Sequence, residues 1–156
     1  MKTRGFTLIE LVITVAIVAV LASAVLPLNE LAHQRAKEQD LRRALREIRV
    51  AIDAYKQASD EGRILKRVGE AGFPKSLEDL AQGVEDQKNP RRDKMYFLRR
   101  IPRDPFAAEP NKAPAETWGK RAYSSPPDDP REGEDVFDVF TRSEGKGING
   151  RPYKEW

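Results

Sequence analysis

The chain has no cysteine and a single histidine, His33, among its 156 residues. The first absence rules out a disulfide staple, a thiol nucleophile and a thiolate metal site. The second leaves no histidine pair for zinc, so His33 reads as a surface residue. No G-x-x-x-x-G-K-[ST] string is present to cradle phosphates. With the nucleophilic, P-loop and zinc constellations all lacking their parts, an enzyme is not expected.

A long apolar stretch occurs once, from Phe6 to Leu26. About twenty helical residues at roughly 1.5 Å each match the ~30 Å hydrocarbon core of a bilayer. Lys2 and Arg4 precede the run and no basic residue follows until Arg35. That bias keeps the N-terminus cytoplasmic and sends the rest of the chain across. Inside the run stands Glu10, whose charge costs roughly 2.5 to 3.5 kcal/mol on insertion scales and calls for a partner. A competing reading is a secretory signal, with Ala22-Ser23-Ala24 as an A-x-A site that releases a soluble chain from near Val25. The length of the run and the carboxylate within it disfavour that reading.

The string Arg4-Gly5-Phe6-Thr7-Leu8-Ile9-Glu10 resembles the class III leader of type IV pilins and type II secretion pseudopilins. The resemblance implies that a prepilin peptidase cuts between Gly5 and Phe6 and methylates the new amine of Phe6. It also makes Glu10 the glutamate at the fifth mature position. The physics agrees: a carboxylate four residues from a positive amine can neutralise the amine of a neighbouring subunit in low dielectric, and so set its register. The formal charge of +3 includes Lys2 and Arg4, both lost with such a leader. Little basic excess then remains, and nucleic acid is not an expected partner. Charge is segregated locally instead. Lys88 to Arg103 carries seven basic side chains against Asp93 alone, and Asp128 to Asp138 carries six acidic ones against Arg131. These stretches read either as solvated loops or as complementary faces of stacked subunits.

Pro27 follows the apolar run, where a proline removes one helical hydrogen bond and usually kinks the helix. Pilin-like proteins have a similar proline at the same mature position. From Leu28 to Ala58 there is neither glycine nor proline. Leu31, Leu41, Leu45, Ile48, Ile52 and Tyr55 recur at helical spacing there, with Ala44 and Ala51 on the same stripe. One helix is therefore expected, with a transmembrane part over 6–27 and an amphipathic part over 28–60. Arg35, Lys37, Glu38, Asp40, Arg42, Arg43, Arg46, Glu47 and Arg49 would form its solvated face.

The remainder, 61–156, reads as a small head. Ser76 is placed to cap a short helix near 76–82, with Asp79 completing the box, and Leu77, Leu80 and Ala81 facing the long helix. Phe73-Pro74 and the run Tyr96-Phe97-Leu98-Arg99-Arg100-Ile101-Pro102-Arg103-Asp104-Pro105-Phe106 are similar to segments of the major pseudopilin family. Ala107 to Thr117 then reads as a surface insertion of eleven residues before Trp118-Gly119. Strands are expected near 120–124 and 136–141, the latter rich in β-branched and aromatic residues. The fold class is α+β: a long N-terminal helix packed on a small antiparallel sheet. The absence of cysteine also matches major pseudopilins.

In that family a glycine-rich loop after the last strand binds calcium through oxygen ligands. Here the family's Ala-Asp-Gly is replaced by Ser143-Glu144-Gly145, which leaves Asp135, Asp138, Glu144 and the carbonyl of Asn149 as candidate ligands. Tyr153 and Trp156 read as packing on the sheet. The function the resemblance implies is that of a structural subunit of a periplasmic filament in type II secretion. Its implied partners are further copies of the chain, minor pseudopilins, the prepilin peptidase and an inner-membrane platform driven by a cytoplasmic ATPase. The related alternative is a type IV pilin serving motility, adhesion or DNA uptake.

Overall fold

The structure, a computed structural model, describes residues 7–156, with the side chains of 23–28 excepted. The expected leader, 1–5, and Phe6 lie outside the described residues. Two compact units divide the chain, Met1–Ala36 and Lys37–Trp156.

A single helix, α1, runs over Leu8–Asp60 and belongs to both units. In the first unit its apolar side chains from Leu8 to Leu21 are exposed. Among the described residues no helix is long and apolar enough to cross a membrane. The apolar run read over 6–26 extends beyond the described side chains at both ends. Pro27 falls within the helical span, and its side chain is not among those described.

In the second unit the stripe becomes a core. Leu41, Ala44, Leu45, Ile48, Ala51, Ile52, Tyr55 and Ala58 are all buried, as the three- and four-residue spacing requires. Leu31, expected on this stripe, belongs to the first unit and is 42% exposed. The helix ends where Gly62 takes a positive φ of 71° and Arg63 N donates to Ala58 O at 2.9 Å.

A short helix, α2, spans Leu77–Gln82 and buries Leu77 and Leu80 on the same core. Asp79 Oδ2 accepts from the N-cap Ser76 N at 2.9 Å, completing a capping box, and from Lys75 N just before the helix at 3.1 Å. The next element was not foreseen from sequence. Val84–Glu85 (β1) and Lys94–Met95 (β2) form a two-residue antiparallel pair. Strands this short carry no periodicity to read.

The larger ladder pairs Trp118–Arg121 (β3) with Asp138–Thr141 (β4), antiparallel, Trp118 opposite Thr141 and Arg121 opposite Asp138. It starts two residues before the expected strand at 120–124 and stops at Arg121, because the chain turns at Ser125, whose N donates to Ala122 O at 3.1 Å. Two separate two-stranded sheets therefore replace the single sheet expected. Gly119 makes room for its cross-strand neighbour: a Cβ there would lie 2.4 Å from the Phe140 ring, which would have to move.

The insertion at 107–117 is only partly a surface feature. It ends in a 3-10 turn, Pro114–Thr117, whose Ala115 and Thr117 are buried. Trp118 is fully buried and its Nε1 donates to Pro102 O at 2.8 Å. Asp104, also buried, donates its N–H to Thr117 Oγ1 at 3.1 Å and accepts from Thr141 Oγ1 at 2.5 Å. The Pro102–Pro105 segment is thereby tied to both β3 and β4.

Candidate functional site

Thr7 precedes the first residue of α1, and Glu10 lies in its first turn. Thr7 N donates to Glu10 Oε2 at 3.4 Å, and Glu10 N donates to Thr7 Oγ1 at 3.3 Å. These reciprocal, long contacts are a capping box in which each side chain meets a backbone donor that the helix leaves unsatisfied. The carboxylate also stands where the positive end of the helix dipole favours negative charge. This local role stands beside the intersubunit pairing expected of Glu10 from sequence. The pattern Thr7-x-x-Glu10 was its visible signal. Glu10 is exposed within the chain. Its expected counterparts in processing, Gly5 and Phe6, lie outside the described residues, and of Pro27 only the helical backbone is described.

The calcium candidates are not gathered. Asp138 Oδ1 accepts from Arg49 Nε at 2.7 Å, and its Oδ2 faces Arg121 Nη2 at 3.5 Å. Asp135 Oδ1 instead accepts from Tyr123 N at 2.8 Å. Glu144 is exposed; Asn149, expected to contribute its carbonyl, uses its side-chain Oδ1 to accept from Arg151 N at 3.1 Å. Among the described residues no group of three or more His, Cys, Asp or Glu could hold a metal ion. Calcium needs about six to eight oxygens converging on one point, and this donor set does not fit it.

Two residues assigned from sequence to the solvated face of α1 are built into the head. Glu38 is 4% exposed and Arg49 is half-buried. Glu38 stands three residues before Leu41 and seven before Leu45, and Arg49 stands four after Leu45 and three before Ile52. Both therefore flank the apolar stripe, a signal that spacing alone could have supplied. Tyr153 is buried as expected and its ring stacks on Phe106 with centroids 4.3 Å apart. Trp156 packs edge-on to Tyr153 at 5.0 Å and lies beneath the Arg42 guanidinium, 4.1 Å away.

The segregated charges reach solvent. Lys88, Arg91, Arg92, Lys94, Arg99 and Arg100 are exposed, as are Asp128, Asp129, Glu132 and Glu134. Two of those acids are paired nearby, Asp129 with Arg131 and Glu132 with Arg142.

Residues 1–26 match the family described as the prokaryotic N-terminal methylation motif. Over 112 residues the chain is 28% identical to type II secretion system core protein G of Dickeya chrysanthemi, a match covering 69% of this chain. It spans 66% of that protein, just under two thirds of its length. No solved structure matches the chain. The chain thus carries a prepilin-type N-terminal methylation motif and is similar, over most of its own length, to a type II secretion core protein G.

Proposed function

We propose that the chain is a structural, non-catalytic subunit of a type II secretion pseudopilus. Cleavage between Gly5 and Phe6 creates the methylated amine, and the apolar run over 6–26 holds the subunit in the inner membrane with its head in the periplasm. Further copies then stack into a filament with the help of an assembly platform. The observation that carries this reading is Glu10, an exposed carboxylate in the first turn of α1 and within a methylation motif. In a lone subunit it caps its own helix. In a filament it neutralises the Phe6 amine of a neighbour, an exchange of a weak exposed contact for an ion pair in low dielectric.

Glu10→Gln separates the two roles, because glutamine serves equally at this position of a capping box but carries no charge. The variant is expected to reach the membrane, be cleaved and keep a head that melts as in the wild type, yet fail to form filaments. Filaments of normal length and number from that variant would overturn the reading. N-terminal mass spectrometry checks the processing step, and a chain beginning at Val25 in place of methylated Phe6 would refute it. Deletion distinguishes the alternative: lost secretion with intact twitching supports a pseudopilin, and the converse supports a type IV pilin.

A further inference from the structure

Three charged residues of α1 hold the segment 138–156. Arg49 Nε donates to Asp138 Oδ1 at 2.7 Å, while its Nη2 donates to Val139 O at 3.2 Å and to the main-chain oxygen of Trp156 at 2.8 Å. Arg42 covers the Trp156 ring. Glu38 Oε1 accepts from Ile148 N at 2.8 Å and from the Tyr153 hydroxyl at 3.0 Å. At 3.6 residues per turn, positions 38, 42 and 49 fall within about 40° of arc on the helix. One edge of α1 therefore presents an acceptor, a ring-covering cation and a three-pronged donor to one stretch of chain.

Arg49 sits among a carboxylate and two main-chain oxygens contributed by β4 and by Trp156. Hard oxygens of this kind, drawn from separate stretches, are what a divalent cation gathers when it cross-links a loop. A planar guanidinium reaches several such oxygens at once with no metal. It also opposes one: a divalent ion approaching Asp138 meets Arg49 and Arg121 at the same carboxylate. Close packing supports the arrangement, since a Cβ on Gly147 would lie 2.4 Å from the Trp156 ring.

We infer that Arg49 supplies from within the chain the cross-link that a bound calcium ion would supply, so that closure of the 142–156 segment onto α1 does not depend on divalent cations. This stands on the geometry of the head and holds whether or not the filament reading does. The experiment uses the full chain in detergent, with thermal melting and limited proteolysis of the 142–156 segment measured in excess chelator and in excess calcium. The wild type is expected to give the same curves in both. Arg49→Met is expected to expose the segment to protease and lower the melting temperature equally in both. Should that variant fail to fold, Arg49→Lys, which keeps the charge but has one nitrogen in place of the separate Nε and Nη2 donors, is expected to show a smaller change of the same kind. Adding Asp138→Asn to the Arg49→Met chain should cost less than Asp138→Asn alone, because their contact is already gone. A wild-type melting temperature that rises with calcium, or wild-type protease resistance in both Arg49 variants, would overturn the inference.

Discussion

Arg63 and Asp86 form a contact in the head whose strength depends on pH. Arg63 Nε and Nη2 both donate to Asp86 Oδ2, at 3.0 and 2.6 Å, joining the loop after α1 to the turn between β1 and β2. The hydrogen bond from Arg63 is the main reason that Asp86 titrates below the usual aspartate range, with the Lys88 backbone N–H adding to it. Because the folded value is the lower one, the contact contributes its full stability above an ordinary aspartate pKa of about 4, and loses it as pH falls through the folded value. Arg63→Met is expected to melt below the wild type at neutral pH, with the gap narrowing in the acid range. Melting curves recorded across that range check this, and a gap that stays constant into strong acid would show that the loss is one of packing. Neither partner could have been matched from sequence: 23 residues separate them, and the turn that brings Asp86 back is made by β1 and β2, which have no periodic signature.

At the scale of elements, legibility followed periodicity. The α1 stripe from Leu41 to Tyr55 and the α2 pair Leu77 and Leu80 were readable because helical spacing repeats and every repeat is buried. The strands were readable in kind but not in register. The β-rich run at 136–141 looks like one strand, yet Val136 N donates to Pro74 O at 2.8 Å, so the run begins by pairing with the chain before α2. From Phe137, whose N donates to Arg121 O at 2.8 Å, it joins β3. Nor did composition reveal why glycine follows Trp118. Its hydrogen leaves room for the Phe140 ring, so Gly119→Ala forces that ring or the β3–β4 backbone to shift. An overpacked site of this kind typically costs ~1–3 kcal/mol, read as a lower denaturation midpoint with an unchanged slope. Phe140→Leu in the same chain is expected to recover part of the loss. If the double variant is no better than the sum of the two single ones, the close approach is not the cause.

At the scale of the whole molecule, the exposed charges bear on assembly. Surface pairs within one chain, such as Arg131–Asp129 and Arg142–Glu132, contribute little each and leave Asp128 and Glu134 exposed in the acidic stretch. In the basic stretch Arg91, Arg99 and Arg100 likewise point to solvent. One chain thus exposes a surplus of each sign, and stacked copies can satisfy what a single copy cannot. Such contacts are screened beyond roughly 8 Å at physiological ionic strength, whereas the proposed pair between Glu10 and a neighbour's amine, set in low dielectric, would be shielded from salt. Under the proposed assembly, filaments are therefore expected to shorten and fall apart as salt rises, while the melting temperature of the head changes little. Arg100→Glu should mimic high salt at low ionic strength, and adding Glu134→Lys in the same chain should restore filament length if the two stretches meet across copies. Electron microscopy of filaments over a salt series reads both effects. Filaments of constant length from low to high salt would show that the basic and acidic stretches are merely solvated and take no part in the proposed assembly.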